Sequence, residues 1–133
     1  MDAMLISALA RKAGVNVETI RYYERRGLLS RPPRPAEGYR RYPPEALNRL
    51  RFIKSAQGLG FTLKEIKELL ALGTGGDAGC PDVLGIAQQK IRQIEEKIRS
   101  LESMHRALVE LAESCPGEGG LFRCPIWESM ELR

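Results

Sequence analysis

Between Pro81 and Glu113, apolar or small residues fall at Leu84, Ala87, Ile91, Ile94, Ile98, Leu101, Leu108 and Ala112. Their steps alternate three and four, with His105 the one polar residue in register, which is the period of a coiled-coil seam. At roughly 1.5 Å rise per residue this helix exceeds about 45 Å, too long for so small a chain to bury alone. The seam therefore requires a partner helix, most simply the same helix of a second copy, and predicts a homodimer. Cys80 precedes the helix, and Cys115 and Cys124 follow it. Antiparallel pairing would set Cys80 of one subunit beside Cys115 and Cys124 of the other, a sensor site built across a dimer.

Charge is divided unevenly. Residues 1–72 carry 14 Lys or Arg against 7 Asp or Glu, whereas residues 73–133 carry 7 against 10. A basic front joined to an acidic back suggests a polyanion-binding module followed by one with another task, although a basic surface also serves solubility. No segment approaches the roughly 20 apolar residues of a membrane helix. Met1-Asp2 stands before a short apolar run and Arg11-Lys12 after it, the reverse of a secretory signal, so a reducing cytoplasm is the expected compartment. There, three cysteines fit free thiols or metal ligands better than a disulfide framework. No nucleophile–base pair, phosphate-binding glycine loop or acid pair suggests an enzyme.

At the N-terminus, Ser7 is placed to cap a short helix, Gly14 to supply a turn, and Asn16 to cap a second helix from Val17 to Arg26 that ends at Gly27. That is a helix-turn-helix, whose second helix enters the DNA major groove. Arg21 could meet a guanine edge or a phosphate, and the hydroxyls of Thr19, Tyr22 and Tyr23 could hold phosphates. A two-helix packing unit with a solvated charged face would give the same local pattern. Prolines 32, 33 and 35 exclude a helix from the next stretch, where Gly38 suits the tip of a short β-ribbon. Arg40, Arg41 and Tyr42 on that ribbon would make a wing that clamps the sugar-phosphate backbone; a proline-rich linker is the bland alternative. Pro43-Pro44 open a further helix with Leu47, Leu50, Phe52, Ile53 and Ala56 facing inward, and Gly58 and Gly60 end it. Thr62 and Glu65 form a capping box for the next, and Arg49, Arg51 and Lys54 are possible phosphate contacts.

The run Gly14-Val15-Asn16-Val17-Glu18-Thr19-Ile20-Arg21-Tyr22-Tyr23-Glu24-Arg25-Arg26-Gly27-Leu28-Leu29 resembles the recognition segment of MerR-family transcription regulators. So do Gly38-Tyr39-Arg40-Arg41-Tyr42 and the run from Phe52 to Ile66. The resemblance covers essentially the whole chain, in order. It implies a mainly α fold: a winged helix-turn-helix over residues 1–72, a hinge with Cys80 over 73–82, a dimerisation helix forming an antiparallel coiled coil over 83–113, and a metal-binding loop with a short terminal helix over 114–133. Within the family, one cysteine before the long helix and two after it, eight residues apart, resembles the mercury-responsive branch. The family's iron–sulfur redox sensor carries four clustered cysteines, its copper(I) sensors two in a shorter loop, and its zinc sensors an added histidine and cysteine. Cadmium and lead sensors also use three cysteines, usually with a shorter final loop, and are the nearest rival.

Three soft thiolates suit a thiophilic ion and leave zinc short of its usual four ligands. The resemblance implies Hg(II) as inducer, held by three thiolates: Cys80 from one subunit, Cys115 and Cys124 from the other. Each cysteine precedes a proline, which places Cys80 and Cys124 at helix N-caps and stops the long helix at Cys115. Inert core cysteines, or a Cys115–Cys124 disulfide, are the structural alternatives. The resemblance further implies a palindromic double-stranded operator inside a promoter with an overlong spacer. The apo dimer represses there, and metal-driven untwisting lets RNA polymerase initiate. A mercury-sequestering protein without DNA specificity, and a small-molecule sensor of the same architecture, are the alternatives from other classes.

Overall fold

The computed structural model describes residues 3–132; Met1 and Asp2, which set the charge order at the N-terminus, and Arg133 lie outside them. Two compact units divide the chain, Met1–Leu84 and Gly85–Arg133. The first contains helices α1 (Ile6–Ala13), α2 (Val17–Arg25), α3 (Pro44–Gly58) and α4 (Leu63–Leu72). Helix α5 (Cys80–Ser114) starts in the first unit and runs through the second, which ends in a 3-10 turn (Leu121–Arg123) and α6 (Pro125–Glu131).

Local chemistry sets the helix ends of the first unit. Ser7 lies inside α1 rather than capping it: the cap is Leu5, whose carbonyl already accepts the Leu9 N–H at 3.0 Å. At the other end Gly14 takes φ +71°, a left-handed conformation in which a Cβ is strained, and the Val15 N–H closes onto Ala10 O at 3.0 Å. Lys54 Nζ donates to the Gly14 carbonyl at 3.1 Å, so the side chain considered for a phosphate instead faces the negative end of α1. Asn16 Oδ1 caps α2 by accepting the Thr19 N–H at 2.8 Å and its hydroxyl at 2.9 Å. Thr62 and Glu65 exchange bonds of 3.2 and 2.8 Å in the capping box that starts α4.

One core holds these helices together. Leu9, Ile20, Leu28, Leu50, Ile53 and Ile66 are its largest fully buried side chains, joined by Ala46, Ala56, Tyr23 and Tyr42. Phe52, expected inside, is exposed, and Ala46 takes the inward position one turn before Leu50.

The loop between Leu29 and Pro43 forms no β-ribbon, and the described residues contain no strand. An isolated antiparallel bridge joins Tyr42 to Met4, with bonds of 2.7 and 2.8 Å in both directions. Pro32, Pro33 and Pro35 carry no N–H, so the first arm cannot supply a ladder. Arg40 Nε closes the neck instead, donating to Pro32 O at 2.9 Å, and Gly38 turns the tip at φ +88°.

Helix α5 has 35 residues, about 50 Å at the α-helical rise. Lys90 is its one buried residue, while Leu84, Ile91, Ile94, Ile98, Leu101, Met104 and Leu108 are exposed along it. Ile53→Ala should lower unfolding stability by roughly 2–5 kcal/mol through the cavity it leaves. Urea unfolding followed by circular dichroism checks this, with the half-exposed Ile98 as the milder comparison in a single chain.

Candidate functional site

Helix α2 buries Ile20 and Tyr23 and turns Glu18, Arg21, Tyr22 and Arg25 outward, with its C-cap Arg26 also exposed. Arg21 lies 3.4 Å from Glu18 one turn back, a solvated pair that leaves the guanidinium available to another acceptor. Tyr22 is flanked by cations: the Arg25 and Arg26 guanidiniums stand 5.9 and 5.7 Å from its ring centre, and Arg26 donates to its hydroxyl at 3.1 Å. Thr19 is half-buried, its hydroxyl donating to the Asn16 cap.

Two hydroxyls expected on this face point inward. Tyr23 is buried and donates to Gln57 Oε1 of α3 at 2.7 Å. Tyr42 is buried and donates to Glu24 Oε2 at 2.6 Å, and burial first, then this bond, push its phenol up to about 12. A tyrosine between apolar neighbours gains more by packing its ring and satisfying its hydroxyl internally than by standing in water. The phosphate-facing expectation for Tyr23 and Tyr42 is corrected accordingly.

Between α2 and the loop lies a cleft of about 650 Å³ whose lining includes Arg21, Glu24, Arg31, Arg34, Tyr39 and Arg40. Arg41 is exposed and lines a second cleft of about 480 Å³ with Arg31, Arg49, Pro32 and Pro33. Four guanidiniums meet one carboxylate in the first cleft, an arrangement suited to an anionic backbone. Arg31 and Arg34 were not among the sequence candidates; only the folding of the loop over α2 brings them beside Arg21.

The thiols lie at helix ends, and all three are free. Cys80 is the first residue of α5, not its cap. Gly79 is the cap: its carbonyl accepts the Asp82 N–H at 3.0 Å, while Asp82 Oδ2 accepts the Gly79 N–H at 2.8 Å. Cys80 is exposed there, at the positive end of the helix. Cys115 follows the last residue of α5, where Pro116 blocks continuation. Cys124 caps α6, with Pro125 as first helical residue and the Cys124 carbonyl accepting the Glu128 N–H at 3.0 Å. Gly117, at φ +81°, and Gly119, at φ +105°, turn the chain back, so that the Cys115 thiol acts on Cys124.

Cys124 therefore sits below the ordinary thiol range. The backbone N–H of Trp127 does most to lower it, and desolvation works the other way; the Ile126 N–H and the Cys115 thiol add to the lowering, while Glu128 opposes it. Among the described residues, no three His, Cys, Asp or Glu side chains of one chain gather as a metal cluster. Cys115 and Cys124 belong to the second unit, and Cys80, an exposed thiol, to the first. The pH midpoint of iodoacetamide alkylation at Cys124 should lie below that of an unstructured cysteine peptide. Cys115→Ala should move it upward, as peptide mass mapping of the alkylated protein can read.

The family model described as "MerR HTH family regulatory protein" matches residues 4–72, and "MerR, DNA binding" matches residues 47–111. A mercuric resistance operon regulatory protein of Bacillus cereus is 46% identical over 125 residues, 94% of this chain and 95% of that protein. The MerR of Bacillus megaterium MB1, solved in complex with mercury(II), is 43% identical with a TM-score of 0.71, covering 92% of this chain and 94% of that one. The regulator PbrR691 of Ralstonia metallidurans CH34, solved in complex with lead(II), is 35% identical with a TM-score of 0.83, covering 96% and 98%.

Proposed function

The chain belongs to the MerR family of DNA-binding transcription regulators, and from that premise we propose that it is a homodimeric, mercury(II)-responsive regulator of a mercury-resistance promoter. The observation that carries this reading is the placement of Cys115 directly after the seam-bearing helix and of Cys124 at the cap of α6, with eight residues between them. Full-length likeness to mercuric resistance regulators supports the choice of ion.

In the dimer, the exposed stripe from Leu84 to Leu108 packs against its antiparallel copy. The pairing delivers Cys80 of the partner subunit to Cys115 and Cys124, completing three sulfur donors for a soft ion. Hg(II) accepts such a set, displacing the thiol protons and leaving a complex of one negative charge. The N–H groups of Ile126 and Trp127, which already lower the Cys124 pKa, would stabilise that charge.

On DNA, each head lays α2 in the major groove of one operator half-site. Thr19, Arg21 and Tyr22 lie on or beside the groove surface, and Arg40 and Arg41 on the loop take backbone phosphates. The apo dimer holds the overlong promoter spacer in a form that RNA polymerase cannot use. Metal favours the conformation that untwists the spacer, because it binds that conformation more tightly. Lead(II) is the second reading, favoured by the likeness to PbrR691.

In a transcription assay under thiol buffering, mercury(II) should activate at far lower free concentration than lead(II), cadmium(II) or zinc(II), and Cys124→Ser should abolish the response. A stronger answer to lead(II) or cadmium(II) would move the protein to that branch. Silence towards every ion would refute metal sensing. Arg21→Ala should weaken operator binding by roughly 1–3 kcal/mol, as measured by fluorescence anisotropy.

A further inference from the structure

Glu24 presents a problem that the proposed function does not solve. A carboxylate on the DNA-facing helix repels phosphate, and it lies in the cleft that also holds Arg21, Arg31, Arg34 and Arg40. Yet its side chain is only 6% exposed, and both of its oxygens face the loop. Oε2 accepts the Tyr42 hydroxyl at 2.6 Å, and Oε1 lies 3.9 Å from Arg31 Nε. Arg31 opens the loop and Tyr42 closes it, so one carboxylate is bonded to one root and within ion-pair distance of the other.

The loop needs such a tie. Its proline-bearing arm forms no ladder with the other, and Arg40 bonded to Pro32 O closes the neck without fixing it to α2. Tyr42 is further held by its two backbone bonds to Met4, so a bond from its hydroxyl to Glu24 transmits that anchorage to the recognition helix.

We propose that Glu24 is a positioning residue of the DNA interface, whose carboxylate ties Arg31 and Tyr42 to α2 and so fixes the spacing between the groove-reading and phosphate-holding arginines. The proposal rests on the DNA-binding reading above and adds to it a residue that touches no DNA. A carboxylate with this role trades general attraction for selectivity: it lowers affinity for any duplex, but keeps the arginines in one register on the right one.

The test uses the full-length protein and two duplexes of equal length, one selected by the wild-type protein from a random pool and one scrambled. Anisotropy titrations over several salt concentrations give the affinity ratio. Glu24→Ala should cut the selected-to-scrambled ratio roughly tenfold or more, the scale of one lost charge-assisted bond. Scrambled binding should hold or tighten, since a negative charge has left a basic face. Tyr42→Phe, which removes only the hydroxyl, should lower the ratio too, and Glu24→Gln, which keeps an acceptor for that hydroxyl, should restore part of it. Equal tightening on both duplexes would reduce Glu24 to a repelling charge and overturn the proposal. Equal weakening on both, together with a lowered melting temperature, would reduce it to a fold residue and overturn it as well. Should Glu24→Ala not fold, an unchanged ratio in both Tyr42→Phe and Glu24→Gln is the overturning result. A wild-type protein that prefers neither duplex would instead defeat the operator reading itself.

Discussion

The apolar stripe of α5 is the constraint from which the rest follows. Isolated helices in water are marginal even when they are good formers, because helical stability in proteins comes mainly from packing one face. Here Ile91, Ile94, Ile98, Leu101 and Leu108 stand exposed on a helix whose only buried residue is Lys90. Completing their burial at roughly 1 kcal/mol each, about half the value of a fully buried aliphatic side chain, is worth about 5 kcal/mol per helix. In the proposed dimer, a second copy would supply that cover and repeat it by symmetry. The stripe thus accounts for the dimer in the proposed function, and the dimer for why a three-thiol site can be divided between the two ends of one helix.

Helix termini convert that division into chemistry. Cys80 starts α5, Cys115 follows its end and Cys124 caps α6; Pro116 stops α5 and Pro125 opens α6, while Asp82 sets the start of α5 by capping Gly79. Thiols at such points are held by backbone geometry rather than by long side chains, so few rotamers must be frozen when a ligand arrives. The backbone N–H groups of Trp127 and Ile126 and the Cys115 thiol lower the Cys124 pKa, while desolvation and Glu128 oppose them.

Much of this was legible in the sequence because it is local. Asn16, Thr62 with Glu65, Gly14 and Gly27 mark helix ends by their own chemistry, and the three–four spacing marks the stripe of α5, although the helix starts at Cys80, inside the stretch expected as a hinge. What was not legible depends on partners distant along the chain. Tyr23 and Tyr42 suit backbone phosphates as tyrosines beside arginines, but Gln57 and Glu24 accept hydrogen bonds from their hydroxyls. Phe52 read as core because it is apolar, although Ala46, Leu50 and Ile53 already fill the inward face of α3. Prolines forbade a helix in the loop, correctly, but they also remove ladder donors, and that second consequence rules out the ribbon. Pro81 points to Cys80 as a cap, whereas the Asp82 carboxylate moves the cap back to Gly79.

The two units also divide the energetic task in the proposed mechanism. Smoothly bending an operator-length duplex costs roughly 1–6 kcal/mol. Driving a two-state equilibrium from 1:99 to 99:1 needs about 5.5 kcal/mol of differential binding. These magnitudes match, so a switch can work only if little of the metal's binding free energy is lost in soft parts of the protein. The head meets this requirement through a single packed core with its loop pinned at the neck, and α5 meets it as one unbroken helix with a sulfur at either end. A loop free to drift from α2 would let the arginines follow the undistorted duplex, and the bending force would dissipate there. Selective binding and transmission of the metal signal therefore place the same demand on the head, namely a fixed distance between recognition helix and loop.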